Sequence, residues 1–237
     1  GHRIVAIIGL TKNTGKTTTF NHLVRQAIGR GLQPGLVSIG RNGERWDALT
    51  RERKPLIWAP SGAWVATAET ALVKSRVQLR HTSVVVESPF GPILLGQVLE
   101  PGPVELIGPQ TGAGVRAVAQ ALLAAGAEFV LVDGTFGRRF TAAAGLSDGL
   151  ILATGATAGN TLQAVVERTR YLAGLFQLPP PPGRLRDQAA RLLESGRVSL
   201  VTAGGESVAL PFRTALGQGA AIVEAIRSQA APVEALV

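Results

Sequence analysis

The stretch Arg3-Ile4-Val5-Ala6-Ile7-Ile8-Gly9-Leu10-Thr11-Lys12-Asn13-Thr14-Gly15-Lys16-Thr17-Thr18 decides the fold. Its apolar run at 3–8 predicts a buried strand, the glycine- and threonine-rich segment a loop, and the pattern over 16–29 a helix. A buried strand that fixes such a loop ahead of a helix is suited to hold phosphate. Backbone N–H groups curl around the anion and the helix points its positive end at it. Within Gly15-Lys16-Thr17, the lysine would reach terminal phosphates and the hydroxyl would ligate Mg²⁺. The usual spacing puts a first glycine at position 10, where this chain has Leu10, with Gly9 one place early. Thr17, Thr18 and Thr19 are poor helix formers, so propensity alone does not explain them. The expected nucleotide-binding set is Gly9, Thr11, Asn13, Thr14, Gly15, Lys16, Thr17 and Thr18; the competing reading is a glycine-rich turn with no ligand.

Working outward, 237 residues with 46% hydrophobic content can bury a full α/β core, and one domain over 3–237 is expected. Cysteine is absent, which excludes disulfides, thiolate metal sites and thiol nucleophiles. Gly1-His2 reads as the scar of a cleaved tag, with the natural chain beginning near Arg3. No run resembles a signal peptide or a bilayer span, so a cytoplasmic location without membrane association is expected. The net charge of +8 permits nucleic-acid binding. The basic residues are scattered, however, with no basic run interleaved with aromatics, so an arginine-rich solvated surface is preferred to a nucleic-acid partner. Only four lysines occur, and Lys12 and Lys16 share one loop.

After the first helix, Gln33-Pro34-Gly35 turns into an apolar strand at 36–39, completing a βαβ unit. This begins a doubly wound, mostly parallel sheet, in which ligands sit beyond the carboxyl ends of the strands. Residues 40–47 would lie on that ligand edge as a switch-like loop. There Glu44 and Asp47 would polarise water or bind Mg²⁺, or else simply face solvent. The segment 55–110 reads as a β-rich insertion or lobe, with strands at 56–58, 83–87, 93–99 and 104–107 and a helix over 63–75. A helix at 115–125 precedes Glu128-Phe129-Val130-Leu131-Val132-Asp133-Gly134, which has the form of a Walker B strand. Its Asp133 would hold the Mg²⁺ hydration shell opposite Thr17. A plain Asp-Gly turn is the alternative.

A strand at 149–154 and the loop Gly155-Ala156-Thr157-Ala158-Gly159-Asn160 lead into a helix at 161–176. Leu178-Pro179-Pro180-Pro181-Pro182-Gly183 is a stiff connector. Beyond it a helix at 186–194, strands at 198–202 and 207–210 and a helix at 217–227 could extend the sheet. The histidines lack metal-site spacing, and no serine-hydrolase elbow occurs. Arg138-Arg139 is either a solvated basic turn or a pair that stabilises charge on a phosphate. No Asn-Lys-X-Asp run is present, which favours ATP over GTP.

The 9–19 loop, Ser38-Ile39-Gly40 with Gly43-Glu44, Val132-Asp133-Gly134 and Leu152-Ala153-Thr154-Gly155-Ala156 together resemble the small P-loop subunit of reactivases that serve cobalamin-dependent lysine or ornithine aminomutases. The resemblance covers about the first two-thirds of the chain. More broadly the chain is similar to the P-loop class that includes dethiobiotin synthetase, ParA-type ATPases and metallochaperone ATPases. In that class a signature lysine near the start of the loop crosses a dimer interface to the other subunit's nucleotide; Thr11 occupies its place here and Lys12 stands beside it. The resemblance implies a P-loop NTPase using ATP and Mg²⁺, with Lys16, Asp133, Lys12 and Glu44 as catalytic candidates and Thr17 and Asp133 at the metal. It implies service to a protein partner, an aminomutase or a second reactivase subunit, and a homodimer as a possible assembly. Two other readings stay open: an ATP-dependent ligase or kinase acting on a small molecule, and a nucleotide-gated binding module without turnover.

Overall fold

The computed structural model describes residues 3–42, 56–75, 77–134, 147–177, 182–215 and 217–237. The apolar run at the start forms β1 (Ile4–Gly9) and the helical pattern forms α1 (Lys16–Gly29). There follow β2 (Pro34–Ser38), the two-residue β3 (Arg41–Asn42), β4 (Ile57–Ala59), β5 (Trp64–Ala68), the single-turn α2 (Glu69–Leu72), β6 (Gln78–Val86) and β7 (Ile93–Glu100). Then come β8 (Gly102–Val104), β9 (Leu106–Ile107), α3 (Gly112–Ala125), β10 (Phe129–Asp133), β11 (Gly149–Ala153), a 3₁₀ turn at Ala156–Ala158 and α4 (Leu162–Phe176).

The central sheet has the order β11-β1-β10-β2-β5-β7-β6. The first five strands run parallel, and β7 and then β6 join antiparallel. This is an α/β architecture with a mixed, mostly parallel sheet. Strand side chains alternate between faces, so apolar residues at every position imply cover on both. Ile4, Ala6, Val37, Val130 and Val132 pack on one face with Val115, Val118 and Leu122 of α3. Ile7, Leu36, Val65 and Leu131 pack on the other with Phe20 and Val24 of α1.

Of the helix expected over 63–75 only the single turn of α2 forms, and residues 64–68 are the strand β5. Alanine-rich Trp64-Val65-Ala66-Thr67-Ala68 lies between β2 and β7, and its small, buried side chains fit the crowded sheet interior. Tertiary pairing overrides the helix propensity of alanine here. The strand expected at 104–107 is two, because β8 pairs with β4 and β9 with β3, on either side of Glu105. The segment read as a β-rich insertion supplies β5, β6 and β7 to the central sheet.

The chain divides into two compact units, Gly1–Phe176 and Gln177–Val237. In the second unit, α5 (Gly183–Glu194), β12 (Ser199–Thr202), β13 (Ser207–Ala209), α6 (Gly219–Arg227) and β14 (Val233–Leu236) follow in order. Its strands do not extend the central sheet: they form a separate antiparallel sheet, β13-β12-β14, over a small core of Val198, Leu200, Leu210 and Ile222.

Candidate functional site

Parallel pairing brings the carboxyl ends of four strands to one edge. Ile7 stands opposite Asp133, Gly9 opposite Ala153, and Ser38 opposite Asp133. The loop between β1 and α1 emerges at this edge. Leu10, in the place where a glycine was expected, is fully buried and continues the ladder by donating its N–H to the carbonyl of Ala153 at 2.8 Å. Gly9 supplies the close approach instead, since a Cβ there would lie 2.6 Å from Thr14 Oγ1 and 3.1 Å from the Thr11 carbonyl oxygen. Thr14, also buried, braces the loop from within, its hydroxyl donating to the Thr11 carbonyl at 3.0 Å.

The last residues before the helix take conformations that suit Asn and Gly. Asn13 has φ 60° and Gly15 has φ 83°, both left-handed. Among the described residues no side chain caps the start of α1, and its first turn carries no acidic residue. The first N–H groups of a helix have no partner within it, so this end offers donors and positive potential together. Lys12 and Thr18 are exposed, while Thr11, Lys16 and Thr17 are half-buried.

Asp133 is 1% exposed and forms an ion pair with Lys16, a contact that spans 117 positions of sequence. Burial raises its pKa above the ordinary carboxylate value; the Lys16 ammonium pulls the other way without cancelling the rise. The backbone around it is pinned: the Asp133 carbonyl accepts from Ser38 Oγ and from the Ile39 N–H, both at 3.1 Å, and the Gly134 N–H donates to Ile7 at 2.9 Å. A Cβ at Gly134 would meet Ile8 Cγ2 at 2.7 Å.

The structure thus brings Gly9, Thr11, Asn13, Thr14, Gly15, Lys16, Thr17, Thr18 and Asp133 to one edge, with Lys12 on the loop's exposed crest. Glu44, Asp47, Arg138 and Arg139 lie outside the described residues. Among the described residues there is no group of three or more His, Asp or Glu side chains that could hold a metal alone, and no helix long and apolar enough to cross a membrane.

Three residues of this edge were given no individual role from sequence. Ser38 anchors the Asp133 carbonyl. Gly108 passes so close to β2 that a Cβ would sit 1.7 Å from the Ser38 carbonyl oxygen, and its N–H donates to Gly40 at 2.9 Å. Thr157 reaches the loop crest, donating to the Lys12 carbonyl at 2.8 Å. Each acts on a distant partner, so no local pattern announces it. Comparison with protein-family models, with curated proteins and with solved structures finds no match for this chain.

Proposed function

We propose that this chain is a Mg²⁺-dependent nucleoside triphosphatase of the P-loop type, with ATP as the favoured nucleotide, that services a partner enzyme. The observation that carries the reading is Lys16 at the uncapped start of α1, paired with the buried Asp133 at the end of the neighbouring parallel strand. A buried carboxylate paired with a half-buried lysine at the carboxyl edge of the sheet is a charge pair that an incoming polyanion can exchange.

The triphosphate lies along loop 10–15 on the backbone N–H groups at the start of α1. Lys16 transfers from the Asp133 carboxylate to the terminal phosphates and orients them for in-line attack. Thr17 follows Lys16 in the first turn of α1. Hydroxyl and carboxylate oxygens are the hard donors Mg²⁺ takes, so Thr17 fits as a direct ligand and Asp133 as a partner of its hydration shell. When bound with the nucleotide, that ion neutralises charge on the phosphates. Asp133, left by Lys16, orients water at the end of β10.

The reactivase resemblance supports the partner half of the proposal: an ATPase that exchanges damaged cobalamin in an aminomutase, with a homodimer or a second subunit as its assembly. Phosphate release from ATP and from GTP, with and without Mg²⁺, is the test, with Lys16→Ala as control. Mg²⁺- and Lys16-dependent turnover is expected; full activity in Lys16→Ala would overturn the reading. For the partner, an aminomutase inactivated by damaged cofactor should regain activity with this protein and MgATP.

A further inference from the structure

The exposed crest of the 10–15 loop is held from outside the motif, by the turn after β11. Thr157 Oγ1 donates to the Lys12 carbonyl at 2.8 Å and lies 2.9 Å from Thr11 Oγ1. A hydroxyl has one hydrogen and a carbonyl can only accept. Thr11 Oγ1 also lies 3.3 Å from the Lys12 carbonyl, but the Thr157 contact is the shorter, so the Thr157 hydrogen goes to Lys12 and Thr11 donates to Thr157. The same counting applies on the far side of the turn. Thr169 of α4 donates to the Val165 carbonyl at 2.7 Å, so Thr154 donates to Thr169 across 2.9 Å. Arg168 adds a bond to the Ala158 carbonyl at 3.3 Å. The turn is thus fastened to α4 on one side and to the loop on the other.

The Lys12 carbonyl and the Asn13 N–H belong to one planar peptide unit, and among the described residues no peptide bond is cis. In a trans peptide these two groups point in opposite directions. Fixing the carbonyl on Thr157 therefore aims the Asn13 N–H away from the turn, and it sets the entry to the left-handed Asn13 and Gly15.

We propose that Thr157 is a positioning residue of the phosphate-binding loop, its hydroxyl holding the Lys12–Asn13 peptide in the orientation that presents the Asn13 N–H to phosphate. The ligand in this statement rests on the proposed nucleotide function; the geometry rests on the hydrogen bonds alone.

Thr157→Val removes the hydroxyl at nearly constant shape, and Thr157→Ser keeps it. In the ligand-free protein, amide hydrogen exchange at Leu10 and Thr19, whose hydrogen-bonded N–H groups flank the loop, should rise about five- to tenfold in Thr157→Val, the scale of one lost hydrogen bond, and stay near wild type in Thr157→Ser. The dissociation constant for ATP should rise by a similar factor in Thr157→Val, with kcat unchanged. Wild-type exchange in Thr157→Val, or equal impairment of Thr157→Ser, overturns the proposal. If the wild-type protein binds neither ATP nor GTP, the proposed function fails, and the exchange comparison still decides the role of Thr157. Where Thr157→Val does not fold, Thr157→Ala makes the same comparison.

Discussion

Helices α1 and α3 are both 14 residues long, cover opposite faces of the same sheet and lack an acidic residue in the first turn, yet they begin differently. At the start of α3, Thr111 sits in extended conformation and its hydroxyl accepts from the Gly114 N–H at 3.2 Å. Gly114 is needed there because a Cβ would meet Pro109 Cβ at 2.8 Å. That start is closed by its own side chain. The start of α1 has a left-handed Gly15 in place of a capping residue, and a lysine beside it tied to a buried carboxylate. The two starts show how one chain can complete one helix end with its own side chain and leave another without such a cap.

The comparison breaks most sharply on turnover. Lys16→Ala should lower ATP hydrolysis by about two to three orders of magnitude, as loss of a group that stabilises transition-state charge does, whereas Thr111→Ala should leave the rate intact. Phosphate release from the two variants side by side measures this. Next in size, Gly9→Ala forces a methyl against Thr14 Oγ1 and costs about 1–3 kcal/mol. It should appear as weakened nucleotide binding by calorimetry as well as a lower Tm.

Gly15→Ala and Thr111→Ala are the matched pair. A Cβ at Gly15 meets nothing within 4 Å, so the cost is backbone strain of about 1–2 kcal/mol, and the Thr111 cap contributes about 1 kcal/mol. The two should therefore lose similar stability in urea, and only Gly15→Ala should weaken ATP binding. Equal effects on binding would erase the distinction between the helix starts.

The smallest effect is in pH dependence. Because burial raises the Asp133 pKa in the folded state, its contribution to stability is fully present below the unfolded carboxylate pKa and is lost as pH rises through the folded value. Urea unfolding across that window should show stability falling with pH in wild type and in Thr111→Ala, and a flatter profile in Asp133→Asn.

The local parts of the fold were legible in sequence. The helix read over 16–29 is α1 to the residue, since an apolar strand, a glycine turn and a periodic face all lie within thirty positions. The strand at 128–134 and the helix at 161–176 were readable for the same reason. What failed depends on distant pairing. Residues 64–68 look helical by composition, and only their neighbours β2 and β7 make them a strand. The last strand, Val233-Glu234-Ala235-Leu236, is too short to announce itself and exists through its ladder with β12. In the candidate site, Lys16 and Asp133 each stood out by motif, while Ser38, Gly108 and Thr157 act on partners 70 or more positions away.

The position of β1 in the sheet has a consequence for how the chain is made. It precedes its neighbours in synthesis, yet pairs at Ile4 with Val130 and at Val5 with Gly149. At about 5–20 residues per second, roughly seven to thirty seconds separate emergence of β1 from arrival of its second partner. Through that interval Ile4-Val5-Ala6-Ile7-Ile8 has both ladder edges unpaired, a template for association with other chains. The strand that fixes the 10–15 loop is thus also a segment in need of shelter during translation, and assembly of the candidate site waits on nearly two-thirds of the polypeptide.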